Sequence, residues 1–319
     1  KSLFGISLNE VAFETGEAWA PDLRKIELVE ENGELAGFLY LDLYPRPGKY
    51  GSAAHFQISS GRVKPSIWSK KKPVASAALV CSFNASRSFP LGLSSNYLLT
   101  HNEVQILFHE FGHALHSLLS RTELQHLAGT RGELDFVETP AQLMEYFALD
   151  ERVLSQFAKH YITGNPIPSE MVKDLKASKS MFQAIHIQQQ ILFAMFDQSL
   201  FGPDFDHSAG VNSEKTNKLI TKLEEIYRGF PHEKSNFWHA RFTHFVSYGA
   251  TYYSYSYARA FAADLWHTCF ASNPLCRQAG QKYRDEILQW GGVKDPNEML
   301  QGMLGRPLCV DAVVKDLVE

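Results

Sequence analysis

Two histidines four positions apart, His109 and His113, enclose Glu110 in the segment His-Glu-Phe-Gly-His. On an α-helix this spacing puts both imidazoles on one face, one turn apart, where their nitrogens can grip a single zinc ion about 2 Å away. Glu110, rotated around the helix, then lies beside the ion and not on it. From there its carboxylate can take a proton from a water that the metal activates, making a nucleophile at neutral pH. That is the chemistry of peptide-bond hydrolysis.

A third ligand is needed, and two residues compete for the role. Glu138 sits in Asp135-Phe136-Val137-Glu138-Thr139-Pro140-Ala141-Gln142, which reads as the opening of a second helix. Pro140 is tolerated only in a first turn, so Glu138 stays near the helix terminus whether Asp135 or Thr139 is the cap. Asp135 and Gln142, one turn either side, are candidate partners for the outer N–H of a metal-bound imidazole. The alternative is His116, on the same face as His109 and His113. Seven residues span about 10.5 Å of helix axis, so three histidines would close poorly on one tetrahedral ion, and the geometry favours Glu138.

The metal-bearing helix has its own start signal. Thr100 and Glu103 have capping-box spacing, and Val104, Leu107, Phe108, Phe111, Leu115 and Leu118 recur at helical intervals behind them. Further on, Tyr248, Tyr252 and Tyr255 fall at i, i+4 and i+7, which predicts one helical face whose hydroxyls line a cleft and donate to a developing oxyanion. An aromatic core stripe is the alternative, but Gly249, Ser254 and Ser256 make a poor core helix. Between the two ligand segments, Leu127 to Gly132 carries Gly129 and Gly132 around Thr130-Arg131. It predicts a turn able to move over a substrate, Gly129 touching it and Arg131 pairing with a carboxylate.

From Phe108 to Tyr146 these residues resemble the thimet oligopeptidase family of zinc metallopeptidases. The shared features are His-Glu-Phe-Gly-His, Gly129-Thr130, Asp135-Phe136-Val137-Glu138 and Pro140. Tyr40-Leu41-Asp42-Leu43-Tyr44, Arg46 and Gly48-Lys49-Tyr50 upstream, and Tyr248 to Tyr255 downstream, are also similar. Glu145 to Ala148, His160-Tyr161 to Pro168 and Tyr253-Ser254-Tyr255 look most like the branch that processes imported mitochondrial precursors. The resemblance implies a zincin-like catalytic domain with one Zn²⁺ on His109, His113 and Glu138, Glu110 as catalytic carboxylate, and Tyr252 and Tyr255 meeting the substrate carbonyl, with His244 approximately matching a family histidine. It also implies peptide or unfolded-precursor substrates, an octapeptide-removing activity in the mitochondrial matrix, and a helical N-terminal region absent here that walls a channel. A general cytosolic oligopeptidase and an inactive peptide-binding module are the alternatives.

Composition frames these readings. With 319 residues, 45% of them hydrophobic, the chain can bury a large core, and a net charge of −4 offers no footprint for nucleic acid. Lys70-Lys71-Lys72 reads as a solvated loop, no apolar run is long enough to span a bilayer, and four scattered cysteines suit reduced thiols. Asn84-Ala85-Ser86 is a formal sequon. No signal or transit peptide is present, and the opening Lys1-Ser2-Leu3 reads as the middle of a protein. The expected fold is mainly α with a small antiparallel sheet (α+β), one catalytic domain over 1–319 with the sheet within about 20–85. Leu23 to Glu30 and Phe38 to Tyr44 form a hairpin around Asn32-Gly33; Ala53 to Ile58 and Val74 to Phe83 follow. Val74 to Phe83 is the expected exposed edge for substrate addition. Beyond Glu133 the chain reads as helical, divided at Gly164-Asn165-Pro166, Gly202-Pro203, Gly229-Phe230-Pro231, Gly291-Gly292 and Gly305-Arg306-Pro307.

Overall fold

The computed structural model describes residues 1–63, 73–83, 98–208, 210, 212–229, 233 and 236–318. Five strands come first: β1 Ile6–Val11, β2 Arg24–Glu30, β3 Leu35–Asp42, β4 Ala54–Ser59 and β5 Ala75–Val80. Gly33, at φ 83°, closes the expected β2–β3 hairpin, and the Glu30 N–H donates to the Glu34 carbonyl at 2.9 Å. The polar strand β1 was not expected; Asn9 and Glu10 hide it from an alternation test.

The sheet order is β1-β2-β3-β5-β4, with β3 and β5 parallel and the other pairs antiparallel. This corrects the antiparallel expectation: after β3 the chain visits the outside at β4, then returns to insert β5 between them. Val74 to Phe83 is therefore central, not the edge. Its Ala75, Ala77, Ala78 and Leu79 are buried, the signature of a strand covered on both faces. The edge on that side is β4.

Helices follow: α1 His101–Leu119, α2 Thr139–Leu149, α3 Glu151–Phe157, α4 Ser169–Ser180, α5 Gln183–Phe201 and α6 Ser213–Tyr227, then α7 His244–Ser247, α8 Ser254–Leu265, α9 Arg277–Tyr283, α10 Pro296–Leu304 and α11 Asp311–Val318. The predicted capping box starts α1, with the Glu103 N–H donating to Thr100 Oγ1 at 3.3 Å and the Thr100 N–H to Glu103 Oε2 at 2.8 Å. Leu115, Leu118 and Leu119 press α1 onto Leu28, Leu39 and Leu79 of the sheet, and α2 and α8 add Leu143, Phe147, Phe261 and Leu265 to the same core. Each such side chain contributes about 1.5–3 kcal/mol on burial.

A second apolar cluster joins Leu192, Phe196 and Leu200 of α5 to Ile220 and Leu223 of α6 and to Phe245. Gly202 stops α5, and Gly305, left-handed at φ 73°, stops α10. Lys70-Lys71-Lys72 and the Asn84 sequon lie outside the described residues. All four cysteines are free, and no helix among the described residues is long and apolar enough to cross a membrane.

Candidate active site

His109 and His113 project from α1 toward the start of α2, and Gly112 explains how the helices come so close. A Cβ at position 112 would lie 2.5 Å from both the Pro140 carbonyl oxygen and Ala141 Cα, so only glycine admits α2 at this depth. The approach brings Glu138 Oε2 to 3.3 Å from Nε2 of His109 and 3.3 Å from Nε2 of His113. One ligand atom from each residue lies within 4.8 Å of the others. Glu138 is itself the N-cap residue of α2, without a side-chain cap bond, and Pro140 occupies the first turn. Neither expected cap serves: Asp135 Oδ2 accepts from the Tyr253 hydroxyl at 3.1 Å, and Thr139 Oγ1 is buried without a partner.

The donor set fits a zinc ion. Two imidazoles and one carboxylate leave a fourth tetrahedral position open, and the buried Glu138 Oε2, which makes no hydrogen bond, has lone pairs to offer where the two Nε2 atoms converge. The His109 ring is fixed from behind by Glu145, whose Oε1 lies 2.7 Å from Nδ1. An Nδ1–H held there is the tautomer in which Nε2 would offer its lone pair to a bound metal. Burial pulls the His109 pKa down, and the hydrogen-bonding carboxylates of Glu138 and Glu145 more than reverse this. Glu145→Gln is expected to weaken zinc affinity about 10- to 100-fold in a chelator competition. Unchanged affinity would remove Glu145 from this role.

His116 is not brought to this group. It is sealed in the interior at 1% exposure, neither ring nitrogen has a partner, and burial lowers its pKa to about 4. The expected outer partners also differ. Gln142 Nε2 donates to the Tyr255 carbonyl at 3.0 Å, tying α2 to α8, while Asp135 holds Tyr253.

The three groups open into a cleft of about 400 Å³, lined also by Glu110, the Ala53-Ala54-His55 end of edge strand β4, and His244, Tyr248, Tyr252 and Tyr255. Glu110 is 8% exposed; burial raises its pKa against the pull of the His109 and His113 imidazoles. The His55 ring stands 5.9 Å from that of His113.

Tyr248, Tyr252 and Tyr255 reach one cleft, but not from one helix, which corrects the periodicity reading. Tyr248 ends α7, residues 249–253 form a turn with Ala250 at φ 62°, and only Tyr255 stands on α8. The Tyr252 hydroxyl donates to Gln190 Oε1 at 3.0 Å, and the Tyr255 hydroxyl lies 3.1 Å from His244 Nε2. Burial pushes the Tyr252 pKa up to about 12 and the Tyr255 pKa higher still, so both phenols stay protonated.

The Leu127–Gly132 turn is pinned and is not an arm over the cleft. The Gly292 N–H donates to the Leu127 carbonyl at 2.8 Å and Gln57 Nε2 to the Ala128 carbonyl at 3.2 Å. Gly129, at φ 74°, packs on Ser117 and Gln57, and Arg131 is exposed away from the lining, where Thr130 takes its place. The sequence reading missed Glu145, His55 and Gln190. Glu145 alone had a local signal, standing seven positions beyond Glu138 on the same face of α2.

A family model described as peptidase family M3 matches residues 1–319, the whole of this chain. The chain belongs to that family. Among M3 relatives, the mitochondrial intermediate peptidase of Arabidopsis thaliana is 41% identical over 308 residues, covering 97% of this chain and 42% of the relative. That of Mus musculus is 42% identical over 317 residues, covering 99% of this chain and 43% of the relative. The M3 segment described here thus spans less than half the length of those curated relatives. A Pyrococcus furiosus carboxypeptidase structure superposes with a TM-score of 0.54 at 13% identity, over 88% of this chain and 53% of the other, a likeness of fold. The family expected from the motifs holds.

Proposed function

We propose that residues 1–319 form the single catalytic domain of a zinc metalloendopeptidase that removes N-terminal octapeptides from imported precursors in the mitochondrial matrix. The observation that carries this reading is the convergence of His109, His113 and Glu138 beside a buried Glu110, in a cleft bordered by β4, the outermost strand on that side among the described residues. Relatives at 41–42% identity that are named mitochondrial intermediate peptidase support the substrate class and compartment.

An extended peptide adds to β4 at Ala53 to His55 by main-chain hydrogen bonds, which positions a scissile bond over the cleft with little demand on side chains. Glu110 accepts the proton of the attacking water and returns it to the leaving amine. The Tyr255 hydroxyl, and that of Tyr252 once it turns from Gln190, donate to the oxygen on which charge develops, and His244 orients Tyr255. A bound zinc ion supplies Lewis acidity to the carbonyl and acidifies the water. The helical region that the family resemblance puts ahead of this segment closes the other side of the channel and restricts entry to unfolded chains.

Tyr255→Phe is expected to lower kcat by about 10²- to 10³-fold with zinc content unchanged. A KM effect alone would move Tyr255 from charge stabilisation to binding. The substrate class is tested with a synthetic precursor peptide carrying an octapeptide ahead of a mature N-terminus. One cut after the eighth residue supports the reading; scattered cuts point to a general oligopeptidase, and zinc-dependent capture without cleavage to a peptide-binding module.

A further inference from the structure

The turn that carries Tyr252 is built around a residue whose backbone alanine disfavours. Ala250 adopts φ 62°, one of two non-glycine residues with positive φ among the described residues. What holds it there is Asp197 of α5, a fully buried carboxylate whose two oxygens are divided between two backbone donors. The Ala250 N–H donates to Oδ1 at 2.9 Å and the Tyr252 N–H to Oδ2 at 2.8 Å. One residue along α5, Gln198 Nε2 donates to the Ala250 carbonyl at 2.7 Å. Both peptide groups of Ala250 and the amide of Tyr252 are thereby clamped by one helix. The same helix meets the Tyr252 side chain through Gln190 and through Phe193, whose ring stands edge-on at 5.6 Å.

We infer that Asp197 is a positioning residue for catalysis: it fixes the left-handed turn at Ala250 and so aims the Tyr252 hydroxyl into the cleft, with Gln198 as its auxiliary. This rests on the role proposed for Tyr252. A carboxylate is suited to the task because it is acceptor only and presents a separate oxygen to each N–H. Asparagine, of the same shape, turns an NH₂ toward one of those two amides and must release it. Released, the turn relaxes away from φ 62°, and displacement of a catalytic group by about 1 Å costs on the order of 10²-fold in rate.

The experiment compares Asp197→Asn, Asp197→Asn with Ala250→Gly, and Gln198→Ala, the last at an exposed position that spares the core. Each is measured for kcat, KM, zinc content and amide hydrogen exchange at residues 250–252. Asp197→Asn is expected to lower kcat roughly 10- to 100-fold at constant zinc and nearly constant KM, with exchange accelerated at Ala250 and Tyr252. Glycine at 250 adopts the turn without the carboxylate's help and is expected to restore at least about threefold of the lost kcat. Gln198→Ala is expected to lose about two- to fivefold. The exchange readout separates this inference from the peptidase reading: accelerated exchange in a protein without zinc-dependent hydrolysis would sink that reading and leave the clamp standing. Unchanged exchange, a kcat within twofold of wild type, or loss of zinc in step with kcat would overturn the positioning role.

Discussion

Glu110→Gln is expected to retain one zinc per chain while kcat falls by about 10²- to 10⁴-fold, the contribution of a positioned general base. Glutamine keeps the volume and polar character of the side chain but accepts no proton at neutral pH. Burial already raises the Glu110 pKa, bringing the carboxylate nearer to the proton affinity that transfer requires. Its position beside the group formed by His109, His113 and Glu138 leaves the ligand atoms untouched. Metal analysis together with steady-state turnover checks the outcome. Retained turnover would discard the proton-transfer role, and lost zinc would make Glu110 a structural residue.

Removal of Glu138 is the second large effect. Glu138→Ala is expected to lose stoichiometric zinc and, with it, activity, because it takes away one of three converging ligand atoms from a site whose two imidazoles alone hold a metal poorly. Purified His116→Ala is expected to hold zinc like the wild type, since both His116 nitrogens are sealed away. The paired comparison is decisive in either direction. Zinc lost with His116 and kept with Glu138 would relocate the third ligand and require α1 and α2 to separate from the packing that Gly112 permits.

The parts of this site legible in the sequence were those encoded by local spacing. The capping box at Thr100, the four-residue interval between His109 and His113, and Pro140 holding Glu138 in a first turn are each settled within a few residues, and each has its expected form. What failed depended on pairing across long separations or on backbone states that composition disfavours. Strand order is of the first kind: nothing in Val74 to Phe83 announces that β4 lies outside it. The tyrosines are of the second kind, since counting by helical period passes straight through Gly249-Ala250, and alanine gives no warning of a positive φ. Asp197 stands 53 and 55 residues from the amides it clamps, a distance at which sequence is silent. Glu145 is within local reach, seven positions beyond Glu138, yet Asp135 and Gln142 lie nearer to Glu138 and carry the same acceptor chemistry.

The chemistry is hung on two separately packed interiors. The candidate metal ligands lie on α1 and at the start of α2, which pack on the larger core, whereas Tyr252 leans on Phe193, Phe242 and Phe245 of the smaller cluster. A defect confined to the smaller cluster is therefore expected to yield molecules that keep their metal while turning over about 10- to 100-fold more slowly. Metal stoichiometry overcounts competent enzyme in any such preparation. The concentration entering a rate constant for this protein is properly set by titration with a tight-binding tetrahedral inhibitor, whose retention requires both interiors at once.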